Sequence, residues 1–443
     1  MKKVQLLVAW IASLAGVMPA AAQRTTMTGS APPSALTLER VVRDAIERHP
    51  LIEAAEARLR GSQGARSTAR VLPNPILTYQ VENTAFPGGS LPPGIDRETQ
   101  LFATLPLEPL WQRWSRTRRA GQEVRAAAAE LVLARRDVAI DAVRAFHRAA
   151  LAQISVQAAA DIEAGLDSLV QFNQTRVREG VTAEGDLIRI EVERDRAATE
   201  RSFQEVELVR ARAELLPFLS DTLRASLTVA SLVVAVDERA IAAAALPDVA
   251  ELTARALAQR ADVTAGRARV QAARAETGFQ RTLLVRQLGL SFGAKTTAGV
   301  RSMSLGISVP VPIFDQNRGE IQRAASERTA AERELEWTER RATAEVAAAY
   351  EAVRILAARA SRLEQGFLAR AEESRRVALA AYLEGAAPLL QVIDATRTLA
   401  DARHIYYRAQ FAQRQSVFDL YAAIGLDPLS PLAPIARSFR SQP

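Results

Sequence analysis

The sequence repeats itself. Residues near Val41–Leu216 and near Val249–Leu426 each read as a helix, two short alternating strands, one very long helix, a tight turn and a returning helix. Pro106, at the end of one second strand, lies 74 residues before Gly180, and Pro310 lies 75 residues before Gly385. A repeat of this size is a duplicated architecture, and it constrains the fold before any single side chain is weighed.

The first 22 residues read as a signal peptide. Lys2 and Lys3 precede the apolar run Val4–Val17, and Ala20, Ala21 and Ala22 supply the small residues that cleavage requires before Gln23. That run is too short to span a bilayer comfortably, and no later run of about 18 apolar residues follows. Any crossing of a membrane must therefore be made by strands. With no cysteine, the chain has no disulfide, no thiolate chemistry and no Cys to carry a lipid.

The net charge of +7 raises nucleic acid as a partner. Arg and Glu are interleaved along the helical stretches, however, as on solvated helix faces, and no basic cluster with interleaved aromatics suits a strand or groove. No nucleic-acid partner is expected. Aromatic residues make up only 5%, while Ala and Arg dominate, as in long helices packed through small seams.

The expected divisions are a flexible segment 23–35, a first repeat 36–216, a connector 217–246, a second repeat 247–426 and a tail 427–443. Thr37 opens a helix that Pro50 interrupts or kinks; the pattern resumes to about Val71 and stops at Pro73 and Pro75. Strands are expected at 74–82, 98–107, 287–295 and 301–310. In the last, Met303, Leu305, Ile307 and Val309 alternate with Ser304, Gly306 and Ser308. Strands with lipid on one side and water on the other have this pattern. So does a half-buried sheet on a soluble core. The leader, the duplication and the absence of a partner for the apolar face favour the membrane.

No proline interrupts Arg113–Arg178 or Gln316–Leu383. Each arm would be on the order of 100 Å long at about 1.5 Å per residue. Val346, Ala349, Val353, Leu356, Ala360, Leu363 and Phe367 follow the 3-4 spacing of a coiled-coil seam. Four strands cannot close a barrel, and an open edge cannot sit in lipid with its backbone groups unpaired. Such a chain must oligomerise: two copies give eight strands, three give twelve.

The segment Ala381–Leu399 (AYLEGAAPLLQVIDATRTL) resembles the second periplasmic turn of TolC-type outer-membrane factors, in which an aromatic, a Gly and a D-A-T-x-x-L helix start recur. Arg176–Asp186 (RVREGVTAEGD) resembles the first turn. Pro310–Gly319 (PVPIFDQNRG), with Asn74-Pro75 and Glu82-Asn83, is most similar to the subgroup serving cobalt-zinc-cadmium or copper-silver pumps. The resemblance implies a mainly α chain contributing four strands to a trimeric twelve-stranded outer-membrane barrel, continued by an α-helical barrel in the periplasm of a Gram-negative bacterium. It implies a homotrimer embedded in outer-membrane lipid, a periplasmic adaptor and an inner-membrane pump of the resistance-nodulation-division type. The function implied is a passive efflux duct, with heavy-metal cations as cargo; drug efflux or type I secretion are alternatives within the same family. A periplasmic coiled-coil adaptor or scaffold is the alternative of another class, although it should carry one hairpin and no duplicated strand pairs. No cofactor and no enzymatic activity are expected.

By position, Tyr382, Gln391, Asp394 and Asp186 fall at the gate, and Arg176, Gly180, Val181, Leu187, Gly385 and Leu389 at turns that would contact the adaptor. Well-known members carry an Asp at the place of Gln391 and an Arg at that of Ala387, so the usual gate ion pair is in doubt. Asp394 reads either as a member of a ring of three carboxylates or as an ordinary first-turn acid favouring the helix dipole. Tyr382 reads as a gate contact or a seam residue. Gly180 and Gly385 suit the left-handed backbone of a tight turn. His49, His147 and His404 share no ligand spacing and read as surface or interface residues. Trp111 and Trp114 read as an interfacial anchor or as packing where barrel meets helices. No catalytic constellation stands out.

Overall fold

The computed structural model describes residues 36–221, 223–224, 232–233, 246–284 and 288–426. The leader, the segment 23–35, the tail 427–443 and most of the connector lie outside the described residues. The fold is two copies of one unit. In the first, α1 (Leu38–Arg48) and α2 (Pro50–Thr68) lead to strands β1 (Ile76–Glu82) and β2 (Glu98–Leu107), then α3 (Leu110–Arg178) and α4 (Glu184–Leu215). In the second, α5 (Val249–Gln259) and α6 (Ala261–Thr282) lead to β3 (Leu288–Thr297) and β4 (Val300–Ser308), then α7 (Arg318–Arg362), α8 (Ala369–Leu383) and α9 (Leu389–Ala423).

Local chemistry sets the ends of these elements. Thr37 caps α1 by accepting from the Arg40 amide at 3.4 Å. Pro50 occupies the first turn of α2, where its missing N–H costs nothing, and His49 before it is extended with ψ 130. Pro50 therefore separates two helices. The equivalent break in the second repeat falls at Arg260, also extended with ψ 135. β1 starts at Ile76, after Pro73 and Pro75, and β4 ends at Ser308, before Pro310.

Strands β3 and β4 run longer towards each other than the sequence pattern suggested. Thr297 pairs with Val300, leaving only Ala298 and Gly299 in the turn, both with positive φ (49 and 80). Two consecutive left-handed residues make the tight hairpin turn that matches strand twist. Another unforeseen pairing joins Leu36–Thr37 in parallel to Leu232–Val233, tying the start of the first repeat to the connector.

The second long arm is not one α-helix. Residues Leu363–Leu368 form a π-helical turn between α7 and α8, and the Arg370 guanidinium donates to the Gly366 carbonyl at 2.6 Å. The wider turn shifts the helical register. Up to its first residue, the seam residues Val346, Val353 and Leu363 are buried; past Gly366, Phe367 is exposed.

Side chains pack in three places. One core lies around α1, α2, mid-α3 and the end of α4, and a second lies around α5, mid-α7 and the end of α9. The third joins α3, α4, α8 and α9 near the turns at Gly180 and Gly385. In the second core Arg260 is fully buried. Its guanidinium donates to Asp262 (Nε–Oδ1 3.0 Å), to Glu345 on α7 (2.7 Å) and to the Ala423 carbonyl at the end of α9 (3.0 Å). Gly425 (φ +80) ends α9 against the Arg260 backbone, leaving a Cβ only 3.1 Å from its nitrogen.

Candidate barrel wall and channel tip

Strands β1 to β4 form one antiparallel sheet in the order β1-β2-β3-β4. The register lines up two contrasting faces. On one, Leu77, Ala103, Phe292 and Leu305 form a row, Tyr79, Leu101, Ala294 and Met303 the next, and Leu105, Leu290 and Ile307 another. On the other face the rows are Thr78, Phe102, Gly293 and Ser304, then Gln80, Gln100, Lys295 and Ser302. Gly293 lets the strands close here, since a Cβ would meet the Leu101 carbonyl at 2.3 Å. Lys295 Nζ lies 2.5 Å from Glu98 Oε2 on this polar face.

The apolar face is bare: Leu305 is 73% and Met303 88% exposed. Among the described residues nothing pairs the outer edge of β1 or of β4. No described helix is long and apolar enough to cross a membrane.

At the far end, the two turns repeat one another hydrogen bond for hydrogen bond. Gly180 (φ +72) donates to the Val177 carbonyl at 3.0 Å and Val181 to that of Arg176 at 2.9 Å. Gly385 (φ +76) donates to Tyr382 at 3.0 Å and Ala386 to Ala381 at 2.8 Å. This is the left-handed glycine stop that satisfies the last carbonyls of a helix. Gly180, Val181 and Gly385 are exposed, Leu187 packs at the edge of the tip core, and Leu389 is buried inside it.

The gate candidates separate by environment. Tyr382 is buried, its hydroxyl donating to Asn173 Oδ1 on α3, with Phe172 edge-on at 6.3 Å. The Arg176 guanidinium sits 5.7 Å from the Tyr382 ring and 5.5 Å from that of Phe172. Tyr382 is thus a seam residue within the protomer. Gln391 and Asp394, three residues apart, share the exposed face of α9. Asp186 lies in the first turn of α4, 3.9 Å from Arg189 of the same helix. Among the described residues, neither Asp186 nor Gln391 meets a partner across the tip.

Sequence reading missed the pair that does cross it. Arg397 on α9 and Glu193 on α4 meet in a two-point contact, Nε donating to Oε1 at 2.9 Å and Nη2 to Oε2. Glu193 is buried, and the Arg397 hydrogen bonds hold its carboxyl below the usual range. The signal available was Arg397 within the D-A-T-R turn, but its partner is 204 residues away.

His147 also departs from expectation. It is buried, not at a surface, with Nδ1 2.8 Å from Gln415 Oε1 and its ring 4.9 Å from that of Phe418. Burial lowers its pKa. His49 caps α2 through Nδ1, 3.3 Å from the Leu51 amide, and His404 is exposed. Among the described residues no three His, Asp or Glu side chains converge as a metal site.

Residues 252–426, nearly all of the second repeat, match the sequence model of the outer membrane efflux protein family. The chain is similar to outer membrane efflux proteins through that repeat. It is 29% identical to the cobalt-zinc-cadmium resistance protein CzcC of Cupriavidus metallidurans, over 84% of this chain and 85% of that protein. Among solved structures, VceC from Vibrio cholerae superposes with a TM-score of 0.72 at 20% identity, covering 88% of this chain and 96% of that one. The CmeC outer membrane channel of Campylobacter jejuni gives 0.73 at 14% identity, covering 90% and 88%.

Proposed function

We propose that this chain is the outer-membrane exit duct of a tripartite efflux system. Three copies would join their sheets edge to edge into a twelve-stranded barrel in outer-membrane lipid, and the long helices would continue it as a periplasmic tunnel. The observation that carries the reading is the four-stranded sheet, open at both edges and apolar on a face nothing covers. In lipid, closure with further copies satisfies those edges. The turns at Gly180 and Gly385 would meet a periplasmic adaptor, behind which an inner-membrane pump of the resistance-nodulation-division type supplies energy and chooses cargo.

The relationship to CzcC, a cobalt-zinc-cadmium resistance protein, supports heavy-metal cations as the cargo. The duct needs no metal site of its own, because passage requires weak binding. The test is co-expression with a matched adaptor and pump in a metal-sensitive strain. Restored tolerance to zinc, cobalt or cadmium, with a trimer extracted only by detergent from outer membrane, is the expected outcome. A soluble monomer in the periplasmic fraction would overturn the duct; tolerance to organic compounds alone would overturn the cargo.

A further inference from the structure

Among the described residues, more than half of the arginines lie within ion-pair distance of an acid, including Arg116 and Arg119 next to the sheet. Just below the sheet, Arg116 meets Glu108 at 2.5 Å and Arg119 meets Glu276 at 3.2 Å. Beside them the pattern breaks. Arg66, Arg70, Arg113, Arg118 and Arg125 line an open groove of about 680 Å³ between the end of α2 and the start of α3, and no acidic residue lines it. Among the described residues, none of the five forms an ion pair with a carboxylate. Arg113 donates to the Arg70 carbonyl at 3.2 Å, and the Arg118 guanidinium lies 5.1 Å from the Trp114 ring. The first turn of α3 adds its own positive end at the same place, with no acid in it and Pro109 offering no cap. Five guanidinium groups and a helix N-terminus left without an anion form a site for one.

The surroundings indicate which anion. Trp111 and Trp114 are 57% and 62% exposed, and Val71, Leu72 and Leu110 are exposed with them. This apolar band lies next to the sheet, with Leu110 three residues past Leu107, the last of β2. Exposed tryptophans between an apolar surface and a basic one mark a membrane–water boundary.

We propose that this groove binds the phosphate headgroup of an anionic phospholipid. The assignment rests on the membrane-barrel reading above. Phosphate oxygens would take bidentate hydrogen bonds from the guanidinium groups. The acyl chains would lie along the apolar sheet face, with Trp111 and Trp114 at the level of the headgroup. Free phosphate shares the first chemistry but not the second.

The experiment uses the full-length protein in nanodiscs of phosphatidylcholine with or without phosphatidylglycerol, and native mass spectrometry of the released oligomer. Phosphatidylglycerol should be retained over phosphatidylcholine. Arg66, Arg70, Arg118 and Arg125 are exposed, so R70Q and R125Q can be made without disturbing helix packing. Each should reduce the preference about fivefold, the value of about 1 kcal/mol per basic residue at a charged membrane surface. Inorganic phosphate should not displace the lipid. Equal retention of the two lipids, or an unchanged preference in both variants, would overturn the groove assignment. So would displacement by inorganic phosphate, which would make this a free-anion site. Failure to enter either nanodisc would sink the barrel reading itself, and the groove with it.

Discussion

Arg397 holds Glu193 across the two repeats, joining the returning helix of the second hairpin to that of the first near the tip. Glu193 is nine-tenths buried while Arg397 is about half exposed, so the pair lies between a surface and a buried ion pair. Arg397→Ala leaves the buried carboxylate with only the longer 3.7 Å contact to Arg196 and should destabilise the tip by about 1–3 kcal/mol. Glu193 has a depressed pKa in the folded state. Its contribution is therefore complete above the ordinary carboxylate range and is lost as pH falls through the depressed value. Hydrogen exchange of the α4 and α9 tips should show a large difference between variant and parent at neutral pH and a shrinking one in acid. A difference that grows in acid would contradict the assignment.

The two sheet faces should respond oppositely to charge. Leu305→Arg places a guanidinium on the bare apolar face and should cost roughly 2–4 kcal/mol near the bilayer midplane, whereas Ser304→Arg places it on the polar face. Trimer yield from outer membrane is expected to collapse for the first and persist for the second, with reduced single-channel conductance. Equal yields would reverse the face assignment.

Asp394 stands on the exposed face of α9, where its charge faces solvent and acts on Arg397 one turn along the same helix. If three copies meet at the tip, that variant should weaken block by divalent cations from the periplasmic side and leave assembly intact. Among the described residues Asp186 has its ion pair with Arg189 of its own helix, so Asp186→Ala should open the channel little. Planar-bilayer conductance reads both. Unchanged block in the Asp394 variant places the constriction elsewhere, and a large conductance rise in the Asp186 variant reveals a partner on a neighbouring copy.

His147 should make the first core acid-sensitive. Burial lowers its folded pKa below the ordinary 6.5, so the unfolded chain takes up a proton first as pH falls. Stability from the neutral ring is complete above about 6.5 and declines from there to the depressed value. His147→Gln should flatten this part of the thermal stability profile between pH 7 and 5. A profile as steep as the parent's would assign the sensitivity to other groups.

The long elements were legible because their signals are local. Met303, Leu305 and Ile307 alternate with small residues, and Gly180 and Gly385 sit where a helix must stop. The hairpin at Ala298-Gly299 was not, because its first residue is an alanine in place of the usual Asn or Asp. The π-turn at Leu363–Leu368 leaves the apolar spacing looking continuous, and only the three-dimensional course shows Phe367 turned outwards. Distant contacts escaped altogether: within the second repeat Arg260 finds Glu345 85 residues away, and between the repeats Arg397 finds Glu193 204 residues away. His147 could have been read better, since Val143, Phe146, Ala149 and Ala150 surround it with core-forming residues.

The two strand pairs end differently at the top of the sheet. Ala298 and Gly299 make the smallest connection a hairpin allows, while residues 83–97 form a long loop with Phe86 almost fully exposed. In a threefold assembly the outside world would meet three large loops alternating with three bare turns. Antibodies and phages would find nearly all their footing on residues 83–97. That loop is therefore where surface variation between strains should concentrate, and where an inserted epitope would label living cells without disturbing the wall beneath it.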